Sequence, residues 1–577
     1  MNSKYKEIGE NWKEFCQRIC SNMKLTFQDK KWFLCLIWTG AVLVSIKSLF
    51  VDFGIDNGYA IATSYRHISG DRMFLEMWEP HQTSAFLVDC LMLLYRIFVP
   101  SLTGVAIFLQ IMGVLLWIPV VVILHNELSK HIDRYISLLI CVLLFVFRAK
   151  QTVFPEFSNM QIGFSILFFT FLVKYICDQD KLRYLILSAV FLCLEIISYP
   201  TCIIAFVAAA GIILMYTEHK VKNALVFSGV CLASGTLYVG YFIWARGLSE
   251  LINVLQMLIE ADISHGNTSM TLYRYLNVFV EGVVYIAGTL VIAAAICLCF
   301  RKRRKIAFLT AWGSSLLITA GATLLCLIIK KQSGYEWHYC IVLVLLIAFG
   351  FWGYKRLTDV EKKIWISGMM ISFSSFLAVT LLTNGALMSV VAYLPLAAAV
   401  SIIPLSKFRK GTFFAEAILL FILLHRGLIV WGYCELSYNS YVNEVESIIR
   451  TGPALGILCD DNTSCVYRDN VTDFEKFLRS DDTVLFMAHQ GYDPLVYVQA
   501  DINVAISSTI SSPTFGEMQI DYWRHYENKV PTVIAIRCYN GVFSLDWSNH
   551  LTMFEWVEEN YEWVGDGTWW RFYRIKE

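Results

Sequence analysis

Long apolar runs recur through the first three quarters of the chain, and they constrain its fold more than any other feature. A helix that crosses a bilayer needs about 20 mostly apolar residues, and about thirteen runs approach that length. Hydrophobic residues make up 57% of the 577 residues and charged residues only 16%, whereas soluble domains contain roughly 25% charged residues. The sequence therefore predicts a polytopic α-helical membrane protein. The predicted spans are Trp32–Phe50, Thr103–Leu124, Tyr135–Phe147, Gln161–Ile176, Leu182–Ser198, Cys202–Tyr216, Ala224–Trp244, Gly282–Phe300, Ile306–Ile329, Tyr339–Phe351, Ile364–Leu382, Ala386–Ile403 and Thr412–Val430.

Basic residues lie mainly in alternate connections between these spans. Connections rich in Lys and Arg stay on the cytoplasmic side of a membrane, which places them in the cytoplasm together with the polar segment 1–31. The alternation holds only if one further apolar run, Ala85–Val99, does not cross. We therefore predict a surface helix there, within an external loop over residues 51–102. The basic connections contain Lys130/Arg134, Lys181/Arg183, Lys220/Lys222, Arg301–Lys305, Lys355/Arg356/Lys362/Lys363 and Lys407/Arg409/Lys410.

The sequence changes character near the end of the last span. After about residue 434, short helix-like stretches alternate with short apolar runs, a pattern that predicts a small α/β domain over residues 434–577. An odd number of crossings places this domain outside the cell membrane, and residues 32–433 form the transmembrane domain. The C-terminal segment ends in a hairpin in which aromatic residues flank Gly565-Asp566-Gly567. Their rings could stack on sugars, but packing in a hydrophobic core is the better interpretation. The predicted helices are Tyr441–Arg450, Phe474–Arg479, Gln519–Glu527 and Phe554–Asn560.

The first external loop concentrates acidic, basic and imidazole side chains at the mouth of an apolar helix bundle. A solvated loop could carry these charges for solubility alone, but its aromatic residues predict that it folds back onto the membrane surface. We therefore place a functional site here. Asp56 follows the first span closely, and a carboxylate at that interface can accept a proton from a substrate hydroxyl. The candidate residues of the loop are Asp56, Arg66, His67, Glu79 and His81.

Three further features admit two interpretations each. Glu156 either caps the helix that follows, because acids favour helix N-termini, or joins Asp56 in the site. Glu195 lies inside an apolar run, where acids are functional candidates or pair locally. Lys330-Lys331 and the following His338 and Tyr339 lie on the predicted outer side, against the positive-inside pattern. They anchor the chain at headgroups or, as we favour, offset the charge of a lipid-linked phosphate.

With these residues in view, the chain resembles the GT-C superfamily of polytopic glycosyltransferases. It is most similar to the group that contains protein O-mannosyltransferases and lipid A aminoarabinose transferases. Their pattern places an acidic motif near Tyr-Ala just after the first helix, then Gly-Asp, then an aromatic residue with Glu and Pro that opens a surface helix. This chain has Asp56-Asn57-Gly58-Tyr59-Ala60, Gly70-Asp71 and Trp78-Glu79-Pro80-His81 at those points.

Two residues depart from the family pattern. The family often has a second acid where this chain has Asn57, and it often has a cation before a double proline where this chain has a single Pro80 followed by His81. The first departure keeps the general base and weakens the case for a divalent cation. The second puts the contacts to donor or acceptor in doubt.

The resemblance implies inverting transfer of a sugar from a polyprenyl-phosphate donor to a glycan, lipid or protein on the extracytoplasmic face. Asp56 would be the general base and Glu156, at the family's second acidic position, would orient a substrate. Lys331, His338 and Arg66 would stabilise the leaving phosphate. The remaining residues implied in substrate binding are His67, Glu79, His81 and Tyr339.

No cofactor is expected, and a divalent cation stays an open possibility. The 47 basic residues balance the 47 acidic ones, so no overall field favours nucleic acid. Two other functions stay open. A lipid or polysaccharide transporter typically has paired halves and polar groups at mid-membrane, neither of which is evident here. The other possible function is that of an assembly module with a glycan-binding external domain.

Overall fold

A computed structural model of the chain describes residues 31–51, 53–79, 81–147, 153–178, 181–264, 343, 346–382, 393–408, 411–434, 440–441, 447–488, 494–509, 517–539, 542–543 and 551–576. Its first part is α-helical, with short 3-10 turns at Gln82–Ser84, Pro200–Ile204 and Tyr354–Arg356. The helices of this part are α1 (Lys31–Ser48), α2 (Ile55–Ile68), α3 (Ala85–Phe98), α4 (Val105–Leu128), α5 (Arg134–Val146), α6 (Phe157–Cys177), α7 (Leu182–Ser198), α8 (Ala205–Tyr216), α9 (Lys220–Arg246), α10 (Leu248–Ser264), α11 (Asp359–Leu382), α12 (Pro395–Val400), α13 (Ile402–Ser406) and α14 (Gly411–Gly432).

Most predicted spans coincide with helices in the described part of the chain. By length and composition, α4, α6 and α9 could each cross a membrane, and several shorter apolar helices accompany them. The predicted spans Gly282–Phe300 and Ile306–Ile329 lie outside the described residues, as do residues 339–342 and 344–345 of Tyr339–Phe351 and residues 386–392 of Ala386–Ile403. The number of thirteen spans therefore stays a prediction.

The helices pack around an extended apolar core, to which α1, α4 to α9, α11 to α14 and the segment around residue 346 contribute. Ile37, Ile140, Phe168 and Ile364 are all fully buried in it. Helix α9 is different, because Leu232, Leu237 and other large apolar side chains on it are mostly exposed. It packs against α7 and α8 and forms an edge of the described bundle.

A glycine in α4 allows a loop to approach the helix closely. A Cβ atom on Gly113 would lie 1.9 Å from the carbonyl oxygen of Val153, a backbone atom that cannot rotate away. The loop that contains Val153 leads directly into Glu156 at the start of α6. The close contact therefore fixes the position of a candidate site residue.

We expect Gly113→Ala to destabilise the protein by about 1–3 kcal/mol, the usual cost of overpacking, because the 153–155 segment has to move. Gly235→Ala in α9 is the matched control, since nothing lies within 4 Å of its added Cβ. That change should be neutral or stabilise the helix by up to about 1 kcal/mol. Thermal unfolding of both purified variants in detergent measures the difference. Equal melting temperatures would show that the segment is free to shift.

The predicted surface helix is present as α3. Its 14 residues span about 21 Å, less than the roughly 30 Å hydrocarbon core of a bilayer. Ile97 and Phe98 at its end are 73% and 77% exposed, whereas Val88 and Met92 are buried on the opposite side. These features suit a helix that lies on a membrane surface. Its position relative to the bilayer stays a prediction.

The C-terminal part contains a mixed sheet with the strand order β6-β5-β7-β10-β9, and β8 pairs with β7. Strand β5 runs parallel to β6 and β7, whereas β10 is antiparallel to β7 and β9. The elements are β1 (Tyr433–Cys434), β2 (Ser440–Tyr441), β3 (Ser447–Ile448), β4 (Leu458–Cys459), α15 (Asp461–Phe477), β5 (Thr483–Met487), α16 (Leu495–Ala500), β6 (Asn503–Val504), α17 (Glu517–His525), the 3-10 turn Glu527–Lys529, β7 (Val533–Tyr539), β8 (Val542–Phe543), α18 (Leu551–Asn560), β9 (Tyr561–Asp566) and β10 (Trp570–Ile575).

The aromatic hairpin is formed by β9 and β10. Trp570 and Phe572 are buried in the core of the C-terminal part, which confirms the core interpretation for these two rings, while Trp563 is 61% exposed. The predicted helix Tyr441–Arg450 is wrong at its described residues: Tyr441 belongs to β2, Ser447 and Ile448 belong to β3, and Ile449 and Arg450 are not helical. Each of these strands pairs with a neighbour, β2 with β1 and β3 with β4.

The first loop packs onto the C-terminal part, and the two share one hydrophobic core. Ile61 of α2 and Met92 of α3 belong to the same buried cluster as Val484 of β5 and Trp570 of β10. Residues 51–102 are therefore packed with the C-terminal domain as well as joined to the bundle. Because they contact directly, the loop and the C-terminal domain lie on the same side of the bundle.

Candidate active site

Two distant parts of the first loop contact the short segment that leads into α6. The Phe53 ring lies edge-on to Phe154, with ring centroids 6.2 Å apart. The His81 ring stacks on Phe157 at 4.2 Å with an interplanar angle of 8°, and it lies 4.7 Å from the Tyr199 ring. The structure thus gathers the chain around Asp56, Glu156 and His81 at one place.

Asp56 lies in the first turn of α2, three residues after Phe53. Its side chain is partly exposed, whereas Asn57, Gly58 and Tyr59, which follow it, are buried. Asp56 is therefore more exposed than Asn57, the other polar side chain of this turn. Asn57, which stands where the family often has a second acid, is buried.

Glu156 is fully buried and caps α6. One carboxylate oxygen accepts a hydrogen bond from the Ser158 amide at 2.7 Å, and the other accepts one from the Asn159 amide at 2.8 Å. The capping interpretation is confirmed. A second role in the site stays a prediction, and it is compatible with the cap because each carboxylate oxygen has a further lone pair.

Replacement of Glu156 can separate its two roles. Glu156→Ala should destabilise the protein by about 1 kcal/mol, because the helix loses its cap. Glu156→Asp supplies one of the best N-cap side chains and should keep most of the stability, but its shorter side chain withdraws the carboxylate from any substrate. If the residue has a role in the site, the Asp variant loses sugar transfer while its melting temperature stays near the wild-type value. Full transfer by a stable Asp variant would limit Glu156 to capping.

Arg66 and Glu79 form a buried ion pair between the first loop and the C-terminal domain. Arg66 Nη1 donates to Glu79 Oε1 at 2.8 Å and to the Ser507 carbonyl at 3.0 Å, and both side chains of the pair are fully buried. Glu79 also accepts hydrogen bonds from the Ser508 hydroxyl and the Thr509 amide, both at 2.8 Å. The pair fastens the two parts of the protein together.

The other nitrogens of Arg66 are also bonded. Nε donates to Asp71 at 2.9 Å and Nη2 to the Glu76 carbonyl at 2.7 Å. Asp71 in turn contacts the buried ammonium group of Lys529. Each nitrogen of Arg66 donates to an acceptor within the protein, so Arg66 and Glu79 position the first loop against the C-terminal domain. The substrate contacts that the sequence predicted for these two residues stay a prediction.

His67 pairs with Asp89 of α3. His67 Nδ1 lies 2.7 Å from one Asp89 oxygen, and the Ser64 hydroxyl donates to the other at 2.5 Å. This hydrogen bond to Asp89 raises the pKa of His67 above its ordinary value of 6.5. The side chain remains 40% exposed, so His67 is fixed by Asp89 and accessible on its other side.

The raised pKa gives the His67 pair a definite pH dependence. The pair contributes its full stabilisation below the pKa of an unfolded histidine and loses it as the pH rises through the higher folded pKa. Asp89, Asp71 and Arg246 are the charged groups whose fields act on His67. We expect the wild-type melting temperature to fall more than that of His67→Gln between pH 6 and pH 9. Parallel curves for the two proteins would contradict the assignment.

Glu195 forms local hydrogen bonds inside the bundle. It accepts from Gln161 Nε2 at 2.6 Å and from the Ser375 hydroxyl at 3.0 Å, and it is fully buried. Local pairing, one of the two interpretations that the sequence left open, is thus present. The last turn of α7, which contains Glu195, leads into Tyr199 below His81.

Three predicted site residues, Lys331, His338 and Tyr339, lie outside the described residues. Over the described ranges, no group of three or more His, Cys, Asp or Glu side chains is suited to hold a metal ion. The described side chains therefore offer no such site for a divalent cation.

An apolar groove of about 950 Å³ runs between α7, the turn Pro200–Ile204 and α9. Thr83 of the first loop and Tyr238 of α9 line it, together with Ile197, Leu232 and Ile243. The Thr83 hydroxyl donates to the Ile197 carbonyl at 2.6 Å, which ties the first loop to the wall of the groove. Sequence reasoning missed this groove, because the facing side chains belong to runs that are apolar all round.

No protein-family model matches this chain, and no curated protein matches it. Among solved structures, it is similar to the crystal structure of the Archaeoglobus fulgidus oligosaccharyltransferase in complex with Zn and sulfate. The two share 11% sequence identity and a TM-score of 0.44, over 92% of this chain and 72% of the other. A likeness of this degree carries no weight for fold or activity.

Proposed function

We propose that this protein is a membrane glycosyltransferase that moves a sugar from a polyprenyl-phosphate donor to an acceptor glycan, lipid or protein on the extracytoplasmic face. The observation that carries the proposal is the contact of the first loop with the segment 153–157. This contact gathers the partly exposed Asp56, the buried Glu156 and the ring of His81 at one end of the helical bundle. An apolar groove suited to a lipid chain begins beside the same loop.

Asp56 is the general base in this proposal. Its carboxylate takes the proton of the acceptor hydroxyl as that oxygen attacks the anomeric carbon of the donor sugar. The bond between the anomeric carbon and the phosphate oxygen breaks, and the phosphate leaves with the electron pair. Attack from the face opposite the phosphate inverts the configuration of the sugar. Proton transfer of this kind contributes roughly 10²–10⁴ in rate.

The other residues of the site orient the substrates and offset charge. Glu156 is held by two amides and is assigned, as in the sequence prediction, to orienting a substrate. His81 is fixed by its stacking on Phe157 and forms one wall of the proposed active site. Lys331 and His338 are assigned, as in the sequence prediction, to the charge of the leaving phosphate.

The direct test is a transfer assay with purified protein in nanodiscs. We expect transfer from a synthetic polyprenyl-phosphate sugar, with inversion at the anomeric carbon seen by NMR, and none from the corresponding nucleotide sugar. Mass spectrometry of surface glycans from cells with and without the protein then identifies the acceptor. Movement of the intact sugar lipid across proteoliposomes without transfer would support a transporter and overturn the proposal.

A further inference from the structure

Arg246, the last residue of α9, lies one helical turn beyond Ile243 at the end of the groove. The groove follows α9 from Leu225 to Ile243, a distance of about 27 Å along the helix. This length is close to the thickness of the hydrocarbon core of a bilayer. The groove is thus long and apolar, and Arg246 follows its last lining residue by one helical turn.

Two nitrogens of the Arg246 guanidinium group are buried and lack hydrogen-bond partners among the described residues. They are the Nε and Nη1 atoms. A buried donor without a partner costs about 1–3 kcal/mol, and more when it is charged. A basic residue in the last turn also complements the helix dipole, but such a residue normally keeps its charged end in water. The two buried nitrogens therefore point to a ligand.

The charged residues near Arg246 indicate that its ligand is an anion. Arg72 and Glu76 lie within electrostatic range of it, and these two already form an ion pair with each other. His67 also lies within range of Arg246, and it is held in place by Asp89. Since Glu76 is already paired with Arg72, the charge of Arg246 can be neutralised by an anionic ligand.

Packing connects Arg246 to the candidate active site. The Phe74 ring of the first loop lies edge-on to Phe242 of α9 at 4.9 Å, one turn before Arg246. Thr83, which lines the groove, is two residues from His81. The charged end of a lipid in the groove therefore lies beside the loop that contains both Asp56 and His81.

We propose that Arg246 binds the phosphate monoester of a lipid whose apolar chain lies in the groove between α7 and α9. This inference rests on the proposed function and deepens it, since the leaving polyprenyl phosphate, a monoester once its bond to the sugar has broken, is assigned to a residue that the sequence did not single out. The groove provides the apolar contact, and Arg246 provides the charge-assisted hydrogen bonds that distinguish a phosphate from an alcohol.

The test measures binding separately from catalysis. Farnesyl monophosphate is titrated into the purified full-length protein, and the bound fraction is measured by native mass spectrometry, with farnesol, inorganic phosphate and phosphatidylglycerol as comparison ligands. We expect farnesyl monophosphate to bind much more tightly than the other three. Arg246→Gln should weaken its binding roughly ten- to hundredfold, and Arg246→Lys should restore part of it.

Of two further variants, one tests the role of the groove and the other is a control. Gly235 lines the groove and has nothing within 4 Å of an added Cβ, so Gly235→Leu should narrow the groove and weaken farnesyl monophosphate binding. Arg524→Gln removes an exposed arginine of the C-terminal domain and should leave binding unchanged.

Several outcomes would overturn the inference: equal binding of farnesol, equal binding of inorganic phosphate or phosphatidylglycerol, or an Arg246→Gln variant with wild-type affinity. Binding that depends on Arg246 in a protein that transfers no sugar would support the lipid-phosphate site and refute the proposed function. The two hypotheses can therefore fail separately.

Discussion

Asp56→Asn should reduce sugar transfer by roughly 10²–10⁴-fold, the usual contribution of a positioned general base. Asn has nearly the shape of Asp but cannot accept the proton of an attacking hydroxyl. Asp56 lies in the first turn of α2 and is partly exposed, so the substitution should leave the packing of the helix intact. Transfer from the polyprenyl-phosphate sugar at saturating donor measures the effect, since binding of the donor should change little.

The matched control for this variant is Asp521→Asn. Asp521 is an exposed acid of the C-terminal domain and pairs with Arg524 at the surface, far in sequence from the candidate site. Both variants should insert and melt like the wild-type protein, and only the Asp56 variant should lose activity. A correctly folded Asp56→Asn protein with an unchanged rate would remove Asp56 from the mechanism.

The helices of the bundle could be predicted because their sequence signal is local. A run of apolar residues such as Leu182–Ser198 predicts a helix with few alternatives, and α7 has these bounds. Helix α15 was missed except for its end, because most of its residues are polar. It buries a narrow stripe that includes Tyr467, Asn470 and Phe474, and such a stripe is weak in the sequence.

The candidate site was predictable only in part, for a similar reason. Asp56 and Glu156 stand out because they are acids beside apolar spans. The bonds of Arg66 and Glu79 to the segment around Ser507 and Thr509 join residues more than 400 positions apart, and nothing local indicates them. Arg246 looks like an ordinary basic residue at the end of a span, and only its buried nitrogens set it apart.

The ion pair of Arg66 and Glu79 leads to the prediction with the largest effect on stability. Arg66→Met should destabilise the contact between the first loop and the C-terminal domain by about 3–5 kcal/mol, because a buried carboxylate then loses its charged partner. Asp71 would lose a bond to Arg66 as well and keep only Lys529. We expect a lower melting temperature and faster proteolysis between the bundle and the C-terminal domain.

Arg524→Met is the matched control, because it breaks a pair whose side chains are 75% and 57% exposed. An exposed pair of this kind is worth about 0–1 kcal/mol. The double variant Arg66→Met, Glu79→Gln should be more stable than the sum of the single effects predicts, since each change removes the charge that the other leaves buried. Additive effects, or equal losses for Arg66→Met and Arg524→Met, would show that the pair does not hold the domain in place. If the pair does hold it, the C-terminal domain is fixed to the same loop that presents Asp56, and its detachment in Arg66→Met should lower sugar transfer.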